Sequence, residues 1–342
     1  MPVSLRQIGK DGPKVPALGL GLMGLSAAYG EVPNDEERFA FLDRALEQGN
    51  TFWDSANIYA DSEELVGRWF KRTGKRDQIF IASKFGIVMD GMNFKGIDSS
   101  GEYCKKACAK SLERLGVDQI DLFYAHRINT ETPIEETMRA LAELKAEGKI
   151  KYIGLCELSS STLRRAYKIA PVDVVQVEYS PFVLDIENET GTNLLATCRE
   201  LGVTVVPHSP LARGIITGTL TGKESVNGAG DLRGKMLPWF SDANIDANVK
   251  IAQEWKKLAD KKGVTSTQLA LAWMIAQGDD LIPIPGTKKI KYLEENWAAL
   301  DIELTGEEVA EIRAFVESVE PAGYRSIESS RALAYPDTKE EA

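Results

Sequence analysis

Residues 50–59 read NTFWDSANIY: a short apolar run that ends abruptly on Asp54, with Tyr59 five positions further on. Two later stretches repeat the design. IFIASK (79–84) ends on Lys84, and IDLFYAH (120–126) ends on His126. Each is an apolar strand with a polar side chain at its C-terminal tip. Working outward, further strands are expected at Ala17–Leu20, Ile150–Leu155, Val174–Val177, Thr204–Val206 and Leu281–Ile284. That makes eight strands, with Asn50–Trp53, Ile79–Ser83 and Ile120–Ala125 as the second, third and fourth.

Segments of helical periodicity lie between them: Asp35–Gln48, Glu102–Leu115, Ile134–Glu147, Ser160–Ile169 and Asn193–Leu201. Four of these run into a glycine (Gly49, Gly116, Gly148, Gly202), where a helix end commonly turns left-handed. Strand–helix alternation implies a parallel sheet, and eight units suggest closure into a (β/α)8 TIM barrel. A doubly wound sheet satisfies the same alternation, and counting alone does not separate the two. Before the first strand, Ser4–Ile8 and Lys14–Pro16 around Asp11-Gly12 read as a small hairpin. Phe85–Ser100 and Ile215–Ile245 are too long for ordinary connections and are expected as functional loops at the C-terminal face. The chain reads as one domain, 1–342, whose polar tail from about 320 to 342 is expected to be partly flexible, with some of it crossing the barrel top.

Composition narrows the function classes. With 41 Lys+Arg against 51 Asp+Glu the net charge is −10, which argues against nucleic acid or an anionic membrane as the main partner. Four cysteines (Cys104, Cys108, Cys156, Cys198) make no disulfide framework, and two histidines provision a metal site poorly, so no metal is expected. No run reaches the ~18 apolar residues of a membrane span, and no secretory leader is visible, so the expected location is cytoplasmic. Oligomeric state is open.

On a parallel barrel the tips of consecutive strands converge at one face. Asp54, Tyr59, Lys84 and His126 would then share one small volume, a set suited to carbonyl reduction. Hydride addition to a carbonyl leaves charge on oxygen, which needs a proton. Tyr59 is the donor, Lys84 lowers its pKa, Asp54 pairs with the buried Lys84, and His126 orients the carbonyl oxygen. Singly, each residue has an ordinary structural explanation; the constellation carries the signal.

DSANIYADSEELVGRWFK (54–71) resembles the D-x-A-x-x-Y-G-x-S-E signature of the aldo-keto reductases, with Ala60 where glycine is usual. IASKFG and LFYAHRIN resemble that family's Lys and His segments. GLGLMGLSAAYG and HRINTETPIEETMRALAELKAEGKIKYIGL resemble its fungal and plant branch, which includes the pyridoxal reductases. The resemblance runs from LGLGLMG to EENWAAL. It implies that Asp54, Tyr59, Lys84 and His126 are the catalytic tetrad and that NADP(H) is the cofactor.

By the same resemblance, Met23 and Gly24 lie beneath the nicotinamide end, with Asp54 close by, and Gln176 holds the carboxamide. Ser209, Leu211, Arg213 and Gly214 follow the pyrophosphate. Gly286, Thr287, Lys288 and Lys289 clamp the 2′-phosphate, while Glu295 and Asn296 face the adenine. Cys156 and Glu157 stand where G-x-S-N or G-x-S-E is usual. His208 replaces a stacking Tyr, and Ala212 a common glycine. Substrate-pocket candidates are Met23, Trp53, Phe85, Arg127 and Trp239. They suit an aromatic aldehyde, pyridoxal or another apolar carbonyl compound. An alternative from a different class is a nucleotide-binding regulatory subunit like the potassium-channel β subunits.

Overall fold

The computed structural model describes residues 3–91 and 93–341. Seven parallel strands form one sheet: β1 (Leu20–Gly21), β2 (Phe52–Asp54), β3 (Phe80–Phe85), β4 (Ile120–Ala125), β5 (Ile150–Cys156), β6 (Val174–Glu178) and β7 (Thr204–His208). They lie in sequence order across the sheet. The eighth position is held by the extended segment 281–286, which bridges both edges. Ile282 and Ile284 donate their N–H groups to Val205 and Pro207 (2.9 and 3.1 Å), and the carbonyls of Pro283 and Pro285 accept from Gly19 and Gly21 (2.9 and 3.3 Å). Pro283 and Pro285 have no N–H to return toward β1, so on that side the segment only accepts and closes the barrel with a thinned ladder. The barrel is therefore the fold, and the doubly wound alternative falls away.

Helices pack around the outside: α1 (Asp35–Glu47), α2 (Ser62–Thr73), α3 (Gly101–Leu115), α4 (Ile134–Ala146), α5 (Ser160–Ile169), α6 (Leu194–Leu201), α7 (Ile245–Lys262), α8 (Ser266–Ile275), α9 (Ile290–Trp297) and α10 (Gly306–Ser318). Local chemistry sets their ends. Asn34, Ser100 and Ser159 cap α1, α3 and α5 by accepting from the backbone of Glu37, Tyr103 and Thr162. Gly116 and Gly202 close α3 and α6 at φ +62° and +68°, a conformation that strains any side chain.

Strand alternation sorts the side chains into two layers. Phe52, Ala82, Leu122, Tyr124, Cys156, Val174, Val206, Ile282 and Ile284 fill the barrel interior, together with Ile8 and Val15 of the N-terminal hairpin. That hairpin pairs Leu5–Gln7 with Lys14–Pro16 and closes the floor. The odd-numbered neighbours, such as Trp53, Ile81, Phe123 and Val175, pack outward into the large cluster under the helices.

The described residues of both long loops are structured. Ile87–Asp90 pairs antiparallel with Asn93–Ile97 beside the barrel mouth. The 215–245 segment winds through short helical turns and meets the β1 loop, where Gly30 donates to the Gly230 carbonyl (3.1 Å) and Leu232 to that of Ala28 (3.3 Å). It is thus a strap across the mouth.

Described residues of the tail, some of which were expected to cross the barrel, make specific contacts with it. Arg325 pairs with Glu178 and Asp185, Ser159 donates to the Pro336 carbonyl (3.2 Å), and Lys339 donates to that of Thr130 (2.8 Å). Its terminal polar residues serve as bonding partners for the α4 and α5 surface. No helix among the described residues is long and apolar enough to cross a membrane.

Candidate active site

Asp54 ends β2 and Lys84 lies near the end of β3, both pointing into the barrel beneath its mouth. Lys84 is fully buried and Asp54 is 2% exposed. The Lys84 ammonium is hydrogen-bonded to Asp54 Oδ1 and donates to the Ser55 carbonyl at 2.6 Å. Gln176, from β6, donates to the other Asp54 oxygen at 2.8 Å. Burying an ion pair is costly unless its remaining lone pairs and protons are met, and here the carbonyl and the amide meet them.

Tyr59 follows β2 in a tight turn fastened by its N–H to the Ala56 carbonyl (3.1 Å). Lys84 Nζ lies 4.9 Å from the Tyr59 ring centroid, and the His126 ring stands edge-on to Tyr59 at 5.8 Å. All four side chains expected to converge do so.

Lys84 acts on Tyr59 in the expected direction, but burial adds a larger opposing effect. Removal from water pushes the Tyr59 phenol above its ordinary value, and the Lys84 charge pulls it back only in part. Desolvation wins because the same burial that brings the ammonium close also withdraws solvent from the phenolate. Lys84 moves the opposite way from a typical buried lysine. Burial lowers it, but the Asp54 and Tyr59 charges outweigh burial and raise it, so the ammonium persists. Burial, then the charges of Lys84 and Arg127, hold the His126 imidazole well below its ordinary value, so the ring is neutral. Its buried Nδ1 has no partner among the described residues.

These groups open onto a cavity of about 520 Å³ that continues as a cleft over the barrel mouth. Met23, Gly24, Gln176, His208, Ser209, Leu211, Arg213 and Gly214 line it, and it runs on past Gly286, Thr287, Lys288 and Lys289 to Glu295 and Asn296. Arg127, Arg213, Arg233, Lys288 and Lys289 face the cleft, against Asp54 and Glu295, in a chain whose net charge is −10. A cationic cleft on an acidic protein fits a long, phosphate-bearing ligand. Gly21 and Gly286 leave room at its floor, where a Cβ on Gly21 would stand 2.9 Å from the Ile284 carbonyl.

Several expected residues take other positions. Trp53 lies under α2, its ring 4.8 Å from that of Trp69, and Phe85 stacks on Phe123 at 5.2 Å. Neither lines the cavity, because a strand that turns Asp54 or Lys84 inward must turn the adjacent residue outward. Trp239 is buried against α7, its carbonyl accepting from Asn248 (2.9 Å). Of the substrate-pocket candidates, Met23 and Arg127 line the cavity.

Tyr29, Ile58, Ile87 and Tyr292 also line it and were not anticipated. Strand parity could have excluded Trp53 and Phe85, but nothing local announces Tyr29 or Ile87. Lys288 donates to the Tyr29 and Glu31 carbonyls (2.7 and 2.5 Å), tying the β1 loop to the cleft. Glu295 accepts from Thr265 (2.7 Å). Cys156 is buried in the barrel interior. Glu157 turns to His208, its Oε1 lying 2.7 Å from His208 Nε2.

The two alanines that replace usual glycines both sit at positive φ, Ala60 at +47° and Ala212 at +49°. Ala60→Gly and Ala212→Gly are therefore each expected to stabilise the fold by about 0.5–1 kcal/mol, relief of left-handed strain exceeding the added chain entropy. Denaturant midpoints check this, and an unchanged or lower midpoint for both contradicts it.

Parallel strands closed into a barrel, with Asp54, Lys84 and His126 at or beside their C-terminal ends and Tyr59 in the following turn, have the layout of an enzyme barrel. The chain belongs to the aldo/keto reductase family, whose description "Aldo/keto reductase family" matches residues 17–317. It is 49% identical over 331 residues to the aldo-keto reductase str7 of Strobilurus tenacellus, covering 95% of this chain and 96% of that protein. It is 44% identical over 343 residues to the aldo-keto reductase yakc [NADP(+)] of Schizosaccharomyces pombe, covering 99% and 98%. Among solved structures it resembles an aldo-keto reductase from Klebsiella pneumoniae in complex with NADPH, with TM-score 0.69 and 28% identity over 95% of this chain and 99% of that one.

Proposed function

We propose that this protein reduces an aldehyde or ketone to an alcohol with NADPH, Tyr59 serving as the general acid. The observation that carries the reading is Tyr59 between a buried ammonium, fixed by Asp54 and Ser55, and the neutral His126, at the wall of a cationic cleft. When bound, the cofactor supplies the hydride. Arg213 and the backbone of 209–214 suit its pyrophosphate, and Lys288 and Lys289 at the start of α9 suit its 2′-phosphate. Gln176, placed beside Asp54, is available to the carboxamide.

The neutral His126 donates an imidazole N–H to the carbonyl oxygen and fixes its direction. Charge that develops on that oxygen makes it an alkoxide, comparable in basicity to hydroxide, whose parent water has a pKa of ~16. A phenol with a raised pKa is still the stronger acid, so proton transfer from Tyr59 runs downhill. Lys84 stabilises the resulting phenolate, and Asp54 keeps Lys84 charged. Met23, Ile58 and Ile87 give the cavity an apolar wall, suited to a carbonyl compound with an apolar body.

The test is absorbance of NADPH with 4-nitrobenzaldehyde. Many turnovers per protein molecule are expected, and arrest after one would favour a nucleotide-binding regulatory role. A second expectation concerns the phosphate clamp. Lys288→Ala with Lys289→Ala weakens NADPH by about a hundredfold more than NADH, as two lost charge-assisted bonds of about 1.5 kcal/mol each require. Loosening of the Tyr29–Glu31 loop affects both nucleotides and cancels in the comparison. Equal losses would count against the 2′-phosphate assignment.

A further inference from the structure

His208, a departure from the expected pattern of contacts to the nicotinamide, and Glu157, which keeps that pattern, form a pair at the cavity wall. His208 Nε2 lies 2.7 Å from Glu157 Oε1, and His208 Nδ1 lies 3.2 Å from Ser209 Oγ. The same Glu157 oxygen accepts from the Glu178 backbone N–H at 2.9 Å. Glu157 is 4% exposed, while His208 is partly open to the cavity. Glu157 at φ +51° and Ser209 at φ +51° hold left-handed turns that aim the two side chains at each other. Strain of this kind at two facing positions persists only where the surrounding structure over-determines it.

The hydrogen bonds give the pair two states without any heavy atom moving. With one proton, Nε2–H donates to Glu157 and Nδ1 accepts from the Ser209 hydroxyl; the pair then carries a charge of −1. With a second proton on Nδ1, the Ser209 hydroxyl rotates to accept, and the pair is neutral. Glu157 itself stays ionised. Burial raises it, but the His208 hydrogen bond and the Arg127 charge bring it down to about 2. The other groups facing the pair are fixed in charge or neutral near pH 7. Arg127 comes from the end of β4, and Cys156, from β5, has its thiol pushed up by burial. His126 is neutral, and the Tyr335 phenol from the tail is likewise pushed up by burial. Lys84 is compensated by Asp54, and Glu178 by Arg213 and Arg325. Imidazole is the side-chain type suited to changing charge near neutral pH.

We infer that the Glu157–His208 pair makes this protein's preference between oxidised and reduced cofactor depend on pH. The inference rests on the cofactor placement proposed above. Oxidised nicotinamide is a cation and reduced nicotinamide is neutral, so the singly protonated, anionic pair favours NADP⁺ and the doubly protonated pair relinquishes that preference. Falling pH therefore favours retention of NADPH over NADP⁺. A tyrosine at position 208 has no such second state. Titration of the 2′-phosphate, common to both nucleotides, cancels in their ratio.

The test is the ratio of Kd for NADP⁺ to Kd for NADPH, measured by fluorescence titration from about pH 6 to about pH 8.5. In the unmodified protein the ratio is expected to fall by about tenfold across that range. His208→Tyr is expected to flatten it. Glu157→Gln is expected to raise it severalfold at the upper end, where the carboxylate's charge is missed most. A flat ratio in the unmodified protein, a slope that survives His208→Tyr, or a ratio unmoved by Glu157→Gln overturns the inference. Should Glu157→Gln fail to fold, the His208→Tyr comparison decides alone. Tight binding of both nucleotides with a flat ratio sinks the pair's role and leaves the cofactor reading intact; failure of either form to bind sinks both.

Discussion

Tyr59→Phe is expected to lower kcat for aldehyde reduction by about 10²–10⁴-fold, the range a positioned general acid supplies, while Kd for NADPH stays within about twofold. Phenylalanine keeps the edge-on contact with His126 and the ring beneath Lys84, so only the hydroxyl is lost. His126 cannot take over as an acid, because burial and the neighbouring cations keep it neutral. The pH profile adds an independent check with a definite sign. Reduction needs the protonated phenol, and its folded value lies above the ordinary ~10. The rate should therefore hold its plateau up to that pH and decline only beyond it. Wild-type turnover in the Phe variant would remove Tyr59 as donor; a decline beginning well below pH ~10 would show that Lys84 outweighs burial after all.

Lys84→Met is expected to abolish turnover and to destabilise the fold by about 3–5 kcal/mol, the cost of removing one partner of a buried ion pair. Asp54 would be left 2% exposed with Gln176 as its remaining side-chain donor. Adding Asp54→Asn to Lys84→Met should recover most of the stability, since no lone charge stays behind, yet none of the turnover. That split separates the charge's structural role from its chemical one. The raised value of Lys84 fixes the sign of the linkage. Its stabilising contribution is complete below the ordinary lysine range and is lost only as pH climbs through the folded value, so neutral pH lies on the safe side. A single variant as stable as the parent would mean that the pair contributes nothing.

Much of this site was legible because the barrel turns a one-dimensional pattern into a place. Asp54, Lys84 and His126 interrupt apolar strands at their ends, and parallel closure gathers such ends on one face. Gly116 and Gly202 marked helix ends for an equally local reason. The same strand alternation, applied one residue further, would have placed Trp53 and Phe85 outside the cavity. What stayed illegible depends on distant segments meeting. Ile87 reaches the cavity because Ile87–Asp90 pairs back on Asn93–Ile97, and Tyr29 because the 215–245 strap meets the β1 loop. The tail docks through Arg325, whose partners Glu178 and Asp185 lie some 140 positions away along the chain. The upward shift of Tyr59 depends on how deeply its ring is enclosed, which no spacing encodes. The Glu157–His208 contact hangs on two left-handed residues that are not glycine.

The account turns on a phenolic oxygen standing across a carbonyl-sized gap from the carbon that delivers hydride. A crystal structure of the protein with NADP⁺ measures this directly. Nicotinamide C4 should face Tyr59 Oη, with room between them for one carbonyl group held at hydrogen-bonding distance from the phenol, about 2.6–3.2 Å. A nicotinamide ring turned away from Tyr59 and Lys84, or a nucleotide bound on another face of the barrel, would contradict it.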